Sequence, residues 1–360
     1  MAVKVYKCPQ CAASLAFNAE TQKLDCKFCL GSFTISQVEE LNAEQKTGGE
    51  EAQWSSDTSE NTGASDEDFQ KNARVYSCPD CGAEIVTDAT TAATFCVFCH
   101  NPTIFPSQLS GAYKPSKVIP FTVDKSKAVE AFKKWCGKKP LVPAAFKAAP
   151  QLEKITGMYI PFWLYDCHVN ATVSATAQTV RSWTQGDYRY TETKHFEVYR
   201  NGCMSFHNVP ADGSSKMDDS TMDLLEPYDY SKLKPFSMSF LSGYLAEKYD
   251  KDKDDVFPRI LSRVQTDART HIMGTINGYT SVQVRNENAQ VTDKAADYAL
   301  LPLWMLIYKH GDKKYMFAMN GQTGKVVGKL PISKGRVFAW LFGLLGGLYL
   351  IMLVGGMFLL

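Results

Sequence analysis

The sequence predicts a multidomain chain: two small β ribbons built on cysteine pairs, an α+β domain with a largely antiparallel sheet, and one C-terminal helix long enough to span a membrane. Three observations predict it. An N-terminal segment recurs 70 residues further on with its cysteines in place. The middle of the chain mixes short β-type runs with three helical stretches. The last 24 residues contain neither a charge nor a proline. The boundaries fall at 1–38 for the first ribbon, 39–72 for an acidic flexible linker, 73–110 for the second ribbon, 111–335 for the α+β domain and 337–360 for the transmembrane helix.

At 360 residues there is room for a domain of ordinary size plus small modules. The net charge of +1 hides an uneven layout: about +2 over 1–38, about −9 over 39–68 and about +8 over the remainder. Eleven cysteines would suit a disulfide framework. Eight of them, however, fall into four CxxC pairs, which is metal-ligand spacing. The first eleven residues lack the basic and apolar regions of a signal peptide, so the N-terminus is expected to remain in the cytosol with reduced thiols.

In the repeat, Val5, Tyr6, Cys8, Pro9 and Cys11 superpose on Val75, Tyr76, Cys78, Pro79 and Cys81, and Cys26, Phe28 and Cys29 on Cys96, Phe98 and Cys99. Each copy reads C-P-x-C, fourteen residues, C-x-F-C, one residue short of the usual spacer. Two such knuckles bring four thiolates to one tetrahedral ion, so the reading is two structural zinc ions, one on Cys8, Cys11, Cys26 and Cys29 and one on Cys78, Cys81, Cys96 and Cys99. A rubredoxin-like iron site wants a longer separation, and a thioredoxin-like pair wants one CxxC at a helix start. Backbone amides, with help from Lys7 and Lys27 in the first copy, offset the excess thiolate charge. His100, beside Cys99, is read as a bystander because four cysteines already close the tetrahedron.

The linker is rich in acidic, Ser, Thr, Gly and Asn residues around a lone Trp54, and cannot bury enough apolar surface to offset ordering. The ribbons are therefore expected to move independently. In the α+β domain, Asp124 caps a helix with Val129, Phe132 and Trp135 or Cys136 inward and Gly137 at its end. Its other face carries Lys125, Lys127, Lys133 and Lys134, followed by Lys138 and Lys139, an ordinary solvated surface or a contact for inner-leaflet lipid. A second helix is expected near 238–249. A third starts at Asp254 or Asp255 and buries Val256, Ile260, Val264, Ala268 and Ile272. Strands are expected at 158–174, at 188–199 with a turn at Asn201-Gly202, and at 278–284, and a hairpin joins 314–320 to 325–330.

The tail at 337–360 would extend roughly 36 Å as a helix, against a bilayer core of about 30 Å. Lys325, Lys329, Lys334 and Arg336 precede it, which implies a single pass through the cytoplasmic membrane with the N-terminal domains in the cytosol. Gly343 and Gly347 give a GxxxG pair through which that helix could form a homodimer.

The double ribbon, PFWLYD at 161–166, LPLWML at 301–306 and FAMNGQTGKVVGKLPIS at 317–333 resemble a bacterial family of membrane-anchored tandem zinc-ribbon proteins over nearly the whole chain. Its members are often labelled transcription factor IIB-type zinc ribbon or primosomal-helicase-like proteins. The resemblance implies architecture and carries no catalytic residues. The nearest approach to a phosphate-binding loop, Gly324-Lys325-Val326, lacks the first glycine and the magnesium-binding hydroxyl. Asp166, Cys167 and His168 are consecutive, so on a strand Cys167 and His168 point to opposite faces, and Cys203 and His207 lack a third member. The chain is thus read as no enzyme but a membrane-tethered cytosolic adaptor or scaffold for a protein partner. The alternative is a nucleic-acid-binding protein, with aromatics and cations mixed at 188–190 and 196–200, against which the acidic linker would repel phosphates.

Overall fold

The computed structural model describes residues 3–44, 73–96, 99–137, 139–143, 153–310 and 313–359. The first ribbon is a three-stranded antiparallel sheet of β1 (Leu15–Asn18), β2 (Lys23–Cys26) and β3 (Ser32–Phe33), followed by helix α1 (Ile35–Glu44). Of the expected linker, 45–72 and with it Trp54 lie outside the described residues. In the second ribbon β4 (Ala73–Ser77) pairs with β5 (Glu84–Asp88), while β6 (Thr91–Phe95) and β7 (Pro102–Ile104) enter a ten-stranded sheet. That sheet also takes β8 (Lys117–Val118), then, after helix α2 (Lys125–Gly137), β9 (Thr156–Gln185) and β10 (Tyr188–Asp212). After helix α3 (Asp219–Leu225) come β11 (Lys234–Pro235) and β12 (Leu245–Glu247), then helix α4 (Lys253–Met273). The long β13 (Ser281–His310), β14 (Lys313–Asn320) and β15 (Val326–Gly328) complete the sheet, and helix α5 (Lys334–Leu359) follows. The sheet is mixed: β8 runs parallel to β13 and β12 parallel to β9, and the other pairs are antiparallel.

Two strands of 30 residues, β9 and β13, organise everything else. At their base the run from Met158 to Tyr165 is buried on both faces, Met158, Ile160, Phe162 and Leu164 in one cluster and Tyr159, Trp163 and Tyr165 in the other. From Asp166 outward the pattern changes to strict alternation, with Cys167, Val169, Ala171, Val173, Ala175 and Ala177 buried and the residues between them open. A continuous apolar run marks a strand covered twice, and alternation one covered once. The single cover is α4, which packs Val256, Ile260, Val264, Ala268 and Ile272 into the same core, where the small alanines of β9 let it approach. Its N-terminus is a full capping box, Asp252 accepting from the amides of Asp254 and Asp255 while Asp255 accepts from the amide of Asp252. Beyond the base, β10, β9 and β13 form a finger roughly 65 Å long from Asp166 to Gln185 at about 3.3 Å per residue, three-stranded as far as Gln178 and continued to its tip by β9 and β10 alone.

Three local expectations are corrected. The β9–β10 hairpin turns at Gly186-Asp187, with Gly186 at φ +62, whereas Asn201 and Gly202 pair with Thr172 and Ala171 inside the ladder. Both dipeptides suit a tight hairpin, but the alternation continues unbroken through Asn201-Gly202. The region 238–249 is a 3-10 turn (Met238–Leu241) and strand β12 rather than a helix. Gly243 stands there at φ +90, with Ala16 of the first ribbon so close that a Cβ would lie 3.1 Å from it. The strand expected at 278–284 continues as far as His310. The hairpin of β14 and β15 forms as expected, its turn held by Asn320 Oδ1, which accepts from the amides of Gln322 and Thr323 at 2.9 Å each.

The C-terminal expectation is also corrected. Among the described residues no helix is long and apolar enough to cross a membrane. The transmembrane helix at 337–360 and the single-pass placement in the cytoplasmic membrane therefore fall. Dimerisation through Gly343 and Gly347 and the tether at the inner leaflet lose their premise with them.

Candidate metal centres

Each knuckle is built by the same backbone device. The amide of Ala12 donates to the Cys8 carbonyl at 2.9 Å and that of Cys8 to the Ala13 carbonyl at 2.7 Å, while Cys26 donates to Gly31 at 2.9 Å. Seventy residues on, Gly82 donates to Cys78 at 2.9 Å, Cys78 to Ala83 at 2.8 Å and Cys96 to Asn101 at 3.0 Å. The residue after each second cysteine is left-handed: Ala12 at φ 59, Leu30 at 59, Gly82 at 72 and His100 at 57. The repeat is therefore one of backbone conformation as well as of letters. His100 occupies the position of Leu30, outside the sulfur cluster.

These turns collect Cys8, Cys11, Cys26 and Cys29 into one group and Cys78, Cys81, Cys96 and Cys99 into another, all ligand atoms within 4.8 Å of one another. The Sγ atoms of Cys8 and Cys29 and of Cys11 and Cys26 lie 3.5 Å apart, and those of Cys78 and Cys99 and of Cys81 and Cys96 lie 3.7 Å apart. A disulfide would be about 2.05 Å. A tetrahedron of sulfurs about 2.3 Å from a central ion has edges of roughly 3.8 Å, so both groups have the dimensions of a four-thiolate metal site. The first cysteine of every pair is buried, and the second is exposed in Cys11, Cys29 and Cys81 and half-buried in Cys99.

The electrostatics agree. The amides of Cys29 and Phe28 pull the Cys26 thiol down to about 6, making it a thiolate at neutral pH. Cys29 is lowered by the amide of Gly31, but the neighbouring thiols of Cys8, Cys26 and Cys11, with burial, push it up to about 12. Burial first, then Cys96, Cys81 and Cys78, raise Cys99 to about 12 against the amide of Asn101. Four crowded thiols cannot all ionise alone, whereas a divalent cation would favour every thiolate at once. Two four-cysteine groups able to hold metal ions are thus present, and they comprise the eight cysteines expected from the spacing.

The supporting lysines act differently from expectation. Lys7 pairs with Asp80 of the second ribbon at 2.8 Å, and Lys27 is exposed. Asp80 also accepts from Asn101 Nδ2 at 2.7 Å, and Asn101 Oδ1 accepts from Ser14 at 2.9 Å. With a two-way backbone bridge between Lys4 and Ile104, these contacts bind the ribbons to each other. The first ribbon also docks on the large sheet: the Phe17 amide donates to the Ser242 carbonyl at 2.8 Å, Gln22 Nε2 to the Phe121 carbonyl at 2.7 Å, and Lys127 of the basic helix pairs with Glu20 at 2.6 Å. The second is stitched in through β6 and β12. The ribbons are therefore fixed to one body rather than independent.

Sequence reasoning missed what the first ribbon displays. Phe28 is 80% exposed and Leu30 85% exposed, on either side of Cys29. The available signal was an apolar residue just outside a knuckle, Leu30, where the second copy has His100. The remaining candidates separate: Cys167 is buried under α4, His168 Nδ1 sits 2.9 Å from Ser205 Oγ on the open face, Cys203 bonds Asn170 at 2.9 Å, and His207 lies 3.6 Å from Asp166.

No protein-family model and no solved structure matches the chain. It is 41% identical over 345 residues to the uncharacterized protein YdjG of Bacillus subtilis (strain 168), covering 96% of this chain and 95% of that one.

Proposed function

We propose, for a chain that belongs to the same family as Bacillus subtilis YdjG, that two zinc ions hold its paired ribbons as the rigid head of an adaptor or scaffold that binds a protein partner. Zinc is the metal that an all-thiolate tetrahedron with no open position suits, and in so small a ribbon it supplies much of the folding free energy. The role is binding rather than catalysis. One observation carries the partner reading: Phe28 and Leu30 stand almost fully exposed around a metal ligand. Burying two such side chains is worth about 1.5–3 kcal/mol each. A knuckle already fixed by its metal loses little further entropy on binding.

The test is paired capture with the zinc-loaded wild type and a Phe28→Ser/Leu30→Ser double variant that keeps its metal. The reading expects a partner retained by the wild type and lost both from the variant and after chelation. The same proteins bound equally by both would refute it.

A second reading, nucleic-acid binding, is favoured by the finger tip. There Trp183 stacks on Tyr190 with centroids 5.7 Å apart, and the Arg181 guanidinium lies 5.8 Å over the indole. Exposed aromatics beside cations suit single strands. Titration with oligothymidylate decides: salt-sensitive binding lost in Trp183→Ala supports this reading, and none at low salt removes it.

A further inference from the structure

The finger has two long edges, and over its length only the β13 edge is broken by bulges. Along β13, bulges interrupt the ladder between Val284 and Asn286 and between Val291 and Asp293. Gln265 of α4 donates to the Ala289 carbonyl at 2.8 Å, and the pairs Arg269–Glu287 and Lys294–Asp254 reach the strand from the helix. Bulges and charges of this kind keep a strand edge from recruiting another chain. On the opposite side, β10 runs in continuous register with β9 from Tyr188 to Phe206 and pairs with no other strand among the described residues.

Beside that open edge, between β10 and the C-terminal turn of α4, lies a groove of about 740 Å³ lined by Arg200, Gly202, Met204 and Phe206 of the strand and His271 and Ile272 of the helix. A Cβ on Gly202 would meet nothing within 4 Å, so this glycine leaves a notch in the wall. The lining holds a guanidinium and a histidine but no carboxylate. Arg200 Nη1 donates to the neighbouring Tyr199 carbonyl at 3.0 Å. An unpaired strand edge running beside a helix, with a side-chain groove between them, is the geometry in which extended peptides add to a sheet.

We propose that β10 is a peptide-binding edge. An extended acidic and apolar segment of a partner protein adds antiparallel to it as a fourth strand of the finger, setting a carboxylate against Arg200 and apolar side chains in the notch over Gly202 and against Met204. Main-chain hydrogen bonds supply affinity, and the alternate side chains facing the groove supply selectivity. This surface is separate from the Phe28 and Leu30 knuckle and stands or falls without it.

The test uses the full chain and a fluorescent peptide, acetyl-Thr-Leu-Thr-Val-Thr-Glu-Thr-amide, whose Glu, Val and Leu reach Arg200, Gly202 and Met204 in antiparallel register. Saturable binding is expected, with slowed hydrogen exchange of the β10 amides. Arg200→Glu weakens it at least tenfold, as does N-methylation of alternate peptide residues. Gly202→Val fills the notch with a side chain that strands favour, so it abolishes binding while leaving the melting temperature equal or higher. The proposal is overturned by no binding at millimolar peptide, or by equal binding of the N-methylated peptide or to the Gly202→Val protein. It is overturned too by a concentration-dependent dimer that already protects β10 in the free chain, which would assign the edge to a second copy.

Discussion

Replacing Gly243 by alanine should undock the first ribbon from the body without emptying its metal site. Gly243 sits at φ +90, a conformation that costs a residue with a side chain about 1–2 kcal/mol. Its new Cβ would also lie 3.1 Å from the Ala16 Cβ and 3.8 Å from the Phe17 nitrogen, so the ribbon must retreat. That strains the bond from the Phe17 amide to the Ser242 carbonyl and the one from Ser242 Oγ to the Leu15 carbonyl, each worth about 0.5–1.5 kcal/mol net. Backbone and contact together come to about 2–5 kcal/mol of docking free energy, roughly a 30- to 5,000-fold loss of protection at one decade per 1.36 kcal/mol. Hydrogen exchange at the Phe17 amide measures it, with metal content as the control. Unchanged protection at Phe17 in Gly243→Ala would refute the claim that ribbon and body form one unit.

Two further outcomes are expected. Asp88 accepts from Lys216 at 2.6 Å and from Thr91; burial opposes its ionisation, but these partners hold it at about 2. Because that lies below the unfolded value near 3.9, its stabilisation is present above about pH 4 and lost as pH falls through 2. After discounting for its exposure it is about 1 kcal/mol, read as the difference in urea midpoint between wild type and Asp88→Asn at pH 6 and at pH 2. Arg259 donates to fully buried Asp212 at 2.8 Å and pairs with Asp219 at 2.7 Å, while burial raises the Asp212 carboxyl. Arg259→Met leaves that carboxylate without its cation and should cost about 3–5 kcal/mol at neutral pH, measured by denaturation, with the deficit shrinking in acid as Asp212 takes up a proton.

The parts legible in the sequence were those fixed by local chemistry. Eight cysteines at metal spacing, repeated at an offset of 70, name their own partners, and the left-handed turns behind them repeat at the same offset. The stripe from Val256 to Ile272 states the face of α4, and Asn320 with the residues after it states a turn. What stayed hidden depends on distant partners. Nothing local says that the alternation after Asp166 belongs to the same 30-residue strand as the buried run before it, because the change of pattern records where α3 and its cluster stop and α4 alone covers the sheet. The apolar residues near 238–249 look helical until ribbon one, docking at Gly243, breaks the run. The exposure of Phe28 is equally invisible, since the same residue type in a knuckle could face inward or out.

The central claim is that the two cysteine groups are separate, complete zinc sites. Elemental analysis of the purified full chain should find two zinc ions per chain, one in Cys8→Ser and one in Cys78→Ser, since neither group lends a sulfur to the other. A ratio near one in the wild type, or iron in place of zinc, would contradict it.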